Sequence, residues 1–371
     1  MSIKNKKILV DCSNIFGGGA IQVAVSFIRN AVLDNSIDYY YILSDKLVEQ
    51  IDIPEERVLL VCCSSSAKSP ILRKSILKIE SELNVDLVFS LFGPTFIKYK
   101  SKHVVGFANG WVSHAKIHDY IHCFGTSFEL IYKLIRSLLI GFYIRSRNNV
   151  IFESQFALSQ FCKRFFYNNN NAYLVKNTYP DVFDNDNDND NDNEFKFSEK
   201  YVLILSAYYK HKNIESIPYV AKELMKLGES FKFILTLDDK SFNEEIKPHI
   251  LKFDQEECII NIGPVKIDDL PSLYKSVDIV YSPSRLETSS AVGFESMRMN
   301  KKLVLNDKEF FRDQCGSNAV YVDSEDVNQV ARTLIDVYKS SSQENLTVGQ
   351  YSSKDKYLEY QKVFKAIIEG K

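Results

Sequence analysis

The chain has 371 residues, 45% hydrophobic and 25% charged, enough for two globular domains with sizeable cores. Its 46 Lys+Arg against 48 Asp+Glu give a formal net charge of -2, which argues against a nucleic-acid binder. Seven cysteines (Cys12, Cys62, Cys63, Cys123, Cys162, Cys258 and Cys315) form no C-x-x-C pair, so buried reduced thiols are expected rather than a disulfide or zinc framework, and with them a cytoplasmic setting.

Met1 to Lys7 runs directly into a short apolar strand, so no signal peptide is expected. Lys7–Cys12 reads as that strand, followed by the glycine turn Gly17-Gly18-Gly19 and a helical period from Ile21 to Val32. Further strands are expected at Tyr39–Leu43, Val58–Cys62, Leu87–Ser90, His103–Phe107, Asn149–Phe152 and Ala172–Val175, with helices such as Ile71–Leu83 and Gln155–Phe165 between them. Phe128 to Ile144 is the longest apolar stretch, but Glu129, Lys133 and Arg136 interrupt it, so no transmembrane span is expected. The basic aromatic stretch Tyr132 to Arg147 has two readings: peripheral contact with an anionic membrane, or the more ordinary one of a helix packed on the first sheet.

The alternating Asp and Asn residues from Asp184 to Asn193 offer nothing to bury, which predicts a flexible acidic linker over 184–197 and not a calcium cage. A second α/β series comes next, with strands at Tyr201–Ser206, Phe231–Leu237, Cys258–Asn261, Ile279–Ser282, Leu303–Leu305 and Ala319–Val322. Its helices fit Ile214–Lys226, Ala291–Met299 and Asp326–Tyr338, and a closing helix spans about Lys354 to Ile368. The expected domains are therefore 1–183 and 198–350, with 351–371 a closing helix. Consecutive α/β domains bind ligands at the carboxyl ends of their strands, in a cleft.

Three segments could carry chemistry. In Tyr281 to Met297 a strand ends near Pro283 and a helix begins at Ser289 or Ser290, an N-terminus suited to phosphate; Glu287 precedes it and Glu295 lies about five residues inside. That offset suits a carboxylate taking ribose hydroxyls, although a solvated helix residue would look the same. Lys210-His211-Lys212-Asn213 comes after the second domain's first strand, where cations could hold a diphosphate and stabilise it as it leaves. Gly17 to Gly19 lets backbone approach a ligand, but G-x-G-x-x-G is absent because Gln22 stands three beyond Gly19. A tight turn without a ligand fits equally well.

Together these residues resemble family 4 glycosyltransferases of the GT-B fold, most densely from Tyr201 to Ala331. Glu287 and Glu295 match that family's Glu-x7-Glu motif, and His211-Lys212-Asn213 resembles the HKN form of its basic motif. Asn261-Ile-Gly-Pro-Val265, Leu270, Leu273-Tyr274 and Val277-Asp278 are similar to its approach to the carboxylates; Asn306-Asp307, Phe310-Phe311-Arg312 and Cys315-Gly316 are similar to its segment beyond them. In the first domain Gly18-Gly19, Ser154 and Asn177 also match.

The resemblance implies two Rossmann-like domains facing a central cleft, 1–183 on the acceptor side and 198–350 on the donor side, with the C-terminal helix 351–371 crossing back to the first. It implies a retaining transferase with a nucleotide-diphosphate-sugar donor, a saccharide or lipid-linked saccharide acceptor and no metal or other cofactor. Surface polysaccharide or lipopolysaccharide synthesis is the implied setting, cytoplasmic or peripheral at the inner membrane. By analogy Glu295 holds the ribose, Lys212 the diphosphate, and Glu287 with the backbone after it lies by the sugar. Lys210, Thr288, Ser289, Ser290, Gly18 and Gly19 complete the donor set.

Ala207 stands where the family often has Arg, so Lys210 compensates, and Thr288, Ser289 and Ser290 replace glycines and narrow the sugar pocket. Ala108-Asn109-Gly110 stands where a His-Asp pair is common; His114 and His118 nearby read as ordinary exposed loop histidines. The alternatives are another GT-B enzyme, such as a nucleotide-sugar epimerase, or a non-catalytic nucleotide- or sugar-binding protein. A dinucleotide-dependent oxidoreductase ranks last.

Overall fold

A computed structural model describes residues 5–184, 200–340 and 351–370. The chain divides into two compact units: Met1–Lys116 with Phe124–Thr178 and Tyr351–Lys371, and Ile117–Cys123 with Tyr179–Gln350. The short helical segment Ile117–Cys123 thus sits with the second unit, although its sequence neighbours on both sides belong to the first. The Asp/Asn tract beyond Asp184 lies outside the described residues; Asp184 itself accepts from Arg298 Nε at 3.2 Å.

The first unit holds seven strands, β1 (Lys7–Asp11), β2 (Asp38–Ser44), β3 (Val58–Cys62), β4 (Leu87–Ser90), β5 (Lys102–Phe107), β6 (Val150–Phe152) and β7 (Ala172–Leu174). Their order is β3-β2-β1-β4-β5-β6-β7, every pairing parallel. A parallel sheet covered on both faces needs strands that are apolar throughout, and Ile8, Leu9 and Val10 are accordingly all fully buried. Its main helices are α1 (Gly19–Leu33), α2 (Pro70–Leu83), α3 (Phe128–Arg145) and α4 (Gln155–Phe165). Ser69 caps α2 by accepting from Leu72 N, Pro70 opens it, and Asn84 ends it in the left-handed region.

The closing helix, Ser353–Glu369, belongs to this unit. Ser352 and Asp355 form a capping box at its start, and Tyr360 and Phe364 bury their rings against Phe27 and Phe89. One charge anchors it: Lys356 is buried, its Nζ 2.6 Å from Asn177 Oδ1 and 3.3 Å from Glu153 Oε1. Burial pushes the Lys356 pKa down and Glu153 opposes that shift. At the other end Lys102 donates to the carbonyls of Ile367 and Ile368, the unpaired acceptors of a helix C-terminus.

The second unit repeats the plan with six parallel strands, β8 (Lys200–Ile204), β9 (Phe231–Leu235), β10 (Ile259–Asn261), β11 (Ile279–Ser282), β12 (Lys302–Asn306) and β13 (Val320–Val322). The order is β10-β9-β8-β11-β12-β13, so the winding reverses between β8 and β11. Its helices include α5 (Ile217–Lys226), α6 (Ala291–Arg298), α7 (Glu309–Cys315) and α8 (Val327–Lys339). The helix expected from Ile214 starts instead as a 3-10 turn, Ile214–Ser216, because Pro218 has no N–H to reach Ile214 O and the Ile217 N–H donates to it instead. Five cysteines are buried as free thiols, Cys258 is half-buried, and Cys63 is exposed, unlike the buried thiols expected.

Removing the Lys356 ammonium leaves Glu153 buried without its cation, a change that usually costs about 3 kcal/mol or more. Lys356→Ala is therefore expected to lower the unfolding free energy read from a urea titration by that amount, with the midpoint at lower urea. Lys356→Met combined with Glu153→Leu should restore most of it.

Candidate active site

In doubly wound sheets the loops at the reversal of strand order diverge and leave room for a ligand. Here those loops come after β8 and β11, and they carry the basic segment and the first carboxylate. After β8 the chain makes a 3-10 turn at Lys210–Lys212 and turns sharply at Asn213. After β11 it runs through Pro283 to Glu287 and enters α6 at Ala291.

Arg285 joins the two loops. Its backbone N–H donates to His211 O at 2.8 Å, and Nη2 donates to Asn213 Oδ1 at 2.9 Å. The same guanidinium pairs with Glu325, in the loop after β13, at 2.7 Å while itself only 7% exposed. Asn306, at the end of β12, donates to Ser284 O at 3.1 Å and accepts from Ser324 N at 3.2 Å. Loops from four strands are thus tied together at the carboxyl ends of the strands. The result is that Lys212 Nζ donates to Glu287 Oε1, as an ion pair with both side chains largely shielded. Beside Lys212 in sequence, His211 stacks on Tyr209; burial, helped by Lys212 and opposed by Glu287, pushes its pKa down to about 4.

Glu295 is the fifth residue of α6 and is 1% exposed, so it is neither a solvated helix residue nor freely open. Tyr274 donates its hydroxyl to Glu295 Oε2 at 2.7 Å. Burial raises the carboxyl pKa to about 7, with the tyrosine hydrogen bond pulling the other way. Ser290 takes the N-cap position without a side-chain cap; Gln314 holds it instead, accepting from Ser290 N at 2.8 Å and donating to Ser290 O at 2.5 Å. Gly293 makes this possible, since a Cβ there would meet Gln314 Nε2 at 2.6 Å and Cys315 Sγ at 2.9 Å. Thr288 and Ser289 are half-buried, and the Ser289 hydroxyl oxygen is shielded without a partner among the described residues. Lys210 is exposed.

The second unit therefore brings Lys212 and Glu287 together, with Ser289 and Ser290 next in the same loop; Glu295 follows inside α6, buried against Tyr274. Gly18 and Gly19 belong to the first unit, between β1 and α1, where the order also reverses. Gly18 takes φ 64, and a Cβ on any of Gly17, Gly18 or Gly19 would meet nothing within 4 Å, so the turn is open. Ser154 caps α4 through Ala157 N, and Asn177 accepts from Lys356. His114 is not an exposed loop residue: its Nδ1 lies 2.8 Å from Ser113 Oγ and its ring packs on Phe156. His118 is exposed in a helix, 3.1 Å from Asp119.

Sequence reasoning missed Arg285 and Gln314. The available signal was a charged residue directly after an apolar strand, and a glycine one helical turn before Met297. A cavity of about 430 Å³ in the first unit, lined by Lys98, Lys102, His103 and Arg147 among others, lies at the amino ends of β5 to β7. It is a poor candidate, because Lys102 and Arg147 already donate to Ile367, Ile368 and Ser146.

Residues 185–355 match the family model for glycosyl transferases group 1. No curated protein matches the chain. Among solved structures it is similar to a glycosyltransferase from Rickettsia africae, with a TM-score of 0.70, 16% identity, and 99% of this chain and 100% of that one covered. It is also similar to HepE of Anabaena in complex with UDP-glucose, with a TM-score of 0.65, 13% identity, and 99% and 98% covered. MnaA of S. aureus with UDP gives a TM-score of 0.61 at 14% identity, with 98% of each chain covered. At such identities the likeness is one of fold, and it joins the family match on the unit that carries the site. The chain thus has the GT-B fold, and the match of residues 185–355 to glycosyl transferases group 1 supports a glycosyltransferase.

Proposed function

We propose that the chain is a retaining glycosyltransferase that takes a sugar from a uridine diphosphate donor to a saccharide or lipid-linked saccharide acceptor, in surface polysaccharide assembly. The observation that carries it is the Lys212–Glu287 pair, fixed at the strand reversal of the second unit directly before α6. The Glu287 and Glu295 spacing supports retention, and the UDP bound to HepE and MnaA supports the base.

In this reading the diphosphate takes Lys212 away from Glu287 and sits near the start of α6, where helix amides and the dipole favour an anion. Lys212 then stabilises charge as the sugar–phosphate bond breaks, and Lys210 adds a second cation. Glu287, with Thr288, Ser289 and Ser290, lies by the sugar hydroxyls. The acceptor attacks on the face the diphosphate leaves, and the leaving phosphate oxygen takes its proton. No step is given to a metal or a protein nucleophile.

Glu295 has the ribose role, shared with Tyr274, which holds the carboxylate in place. With a folded pKa near 7 against an ordinary 4.5, Glu295 binds a proton more tightly in the folded state. Its contribution is then fully present below pH about 4.5 and is lost as pH rises through about 7. A shift of that size corresponds to roughly 3 kcal/mol at most. Melting of wild type against Glu295→Gln from pH 4 to 8 should show the wild type losing stability relative to the variant across that window. Parallel curves would mean that the carboxyl is not perturbed.

The function is tested by thermal shift and transfer assays with UDP, GDP and ADP and their sugars. UDP should stabilise the wild type, and Glu295→Ala should lose at least tenfold in UDP affinity. Lys212→Ala should lower kcat about a hundredfold, the scale of one lost charge-stabilising donor, with a smaller effect on affinity. Both variants behaving as wild type would overturn the site. UDP binding without transfer to any acceptor would leave a binding protein.

A further inference from the structure

Helix α3 is held to the first unit by one face only. Gly141 lies so close to Phe165 of α4 that a Cβ there would meet the ring at 1.9 Å, and Ile144 is fully buried. The opposite face is bare. Phe128 (91% exposed), Ile131, Ile135, Leu138, Leu139 (65%) and Phe142 all point to solvent. Their spacing keeps them on one stripe of about 100° along a helix about 27 Å long, at 1.5 Å per residue. Half-exposed single leucines are ordinary, but a continuous apolar stripe of this length marks an interaction surface.

The charges beside the stripe say what covers it. At 100° per residue Arg136 falls on one edge and Arg145 on the other, both exposed and neither with an acidic partner among the described residues. Glu129 is the helix's one acid, and it is engaged by Lys133 at 3.6 Å. Beyond the C-terminus Arg147 stacks on Tyr143 at 4.6 Å, and Tyr132 (60% exposed) adds a ring of the kind that seats at headgroup depth. A second copy of the chain docked here about a two-fold axis would bring cationic edges together with little acid to offset them. An anionic surface meets both edges favourably. Among the described residues no helix is long and apolar enough to cross a membrane, so a lipid contact would lie in the interface plane.

We propose that the exposed face of α3 docks flat on a membrane containing anionic lipids, its apolar side chains inserted between headgroups and Arg136 and Arg145 paired with lipid phosphates. Such docking would bring the enzyme to a lipid-linked acceptor, but it stands on α3 alone and is independent of the donor reading.

Flotation of the full chain with vesicles of phosphatidylcholine, with and without phosphatidylglycerol, tests it. Wild type should float at least tenfold more with the anionic vesicles, and high salt should reduce this. Ile135→Glu with Leu139→Glu, and separately Arg136→Glu with Arg145→Glu, should each cut recovery about tenfold. These positions are exposed, so melting and UDP response should stay as in wild type; that readout separates failed docking from a failed donor site. No flotation by wild type, or variants that float equally, would overturn the proposal. So would a wild-type dimer that ignores vesicles and becomes monomeric in the Ile135→Glu, Leu139→Glu variant.

Discussion

The candidate site depends on where Arg285 places its guanidinium. A charge only 7% exposed needs partners, and Arg285 Nη2 finds them in Asn213 and Glu325 while the backbone N–H donates to His211; Nε is buried without a partner among the described residues. Those partners come from loops after β8 and β13, while Arg285 itself lies just beyond β11. Such a residue contributes little through its net pairing energy, because desolvation offsets most of the attraction. Its effect is geometric: the loop that carries Lys212 can close on the segment that carries Glu287 in few ways that also satisfy the guanidinium.

That geometry leaves Lys212 and Glu287 paired with each other, and the pair has a consequence for binding. Two unit charges 4 Å apart attract by about 4 kcal/mol at an effective dielectric of 20. On the proposed donor reading a diphosphate would bring a stronger anion to Lys212 and at the same time repel Glu287. Binding would then exchange one partner of the lysine for another and turn the glutamate toward uncharged hydroxyls. A sugar supplies such hydroxyls directly beside the phosphate it hangs from. The cation is held oriented by its own protein partner beforehand, which reduces the reorganisation left for the reaction itself.

The sheets were legible in the sequence for a simple reason. Parallel strands covered on both faces must be apolar along their whole length, so stretches such as Ile8 to Val10 and Leu303 to Leu305 stand out against amphipathic helices. The loop after β11 and the start of α6 were legible too, since the apolar run ends at a proline and two serines precede the helix. What was not legible rests on pairs far apart in the chain. Lys356 and Glu153 are separated by 203 residues, and nothing local distinguishes them from surface charges. The burial of Glu295 depends on Tyr274, and the close packing of α6 on α7 depends on Gly293 facing Gln314. Spacing found the carboxylate, but only packing shows that it is shielded. The grouping of Ile117–Cys123 with the second unit escaped for the same reason: local pattern gives a helix and no address.

Thr288, Ser289 and Ser290 carry side chains where the resembled family has glycines, and their different surroundings suggest different tasks. Ser290 is occupied through its backbone, gripped by Gln314 on both its N–H and its carbonyl. That grip does the work of a helix cap and leaves the serine hydroxyl out of it. Ser289 is the opposite case: its hydroxyl is shielded from water and unpaired among the described residues. An unpaired buried hydroxyl costs free energy unless something completes it. Glycines in this turn would leave only backbone amides to face a sugar. Serine at 289 adds a group that can donate and accept, placed between Glu287 and the helix start. A hydroxyl-rich ligand would satisfy it, whereas a site meant only to admit a phosphate would gain nothing from it. On the proposed donor reading, these side chains would both narrow the sugar pocket and make it more selective for what hangs from the diphosphate.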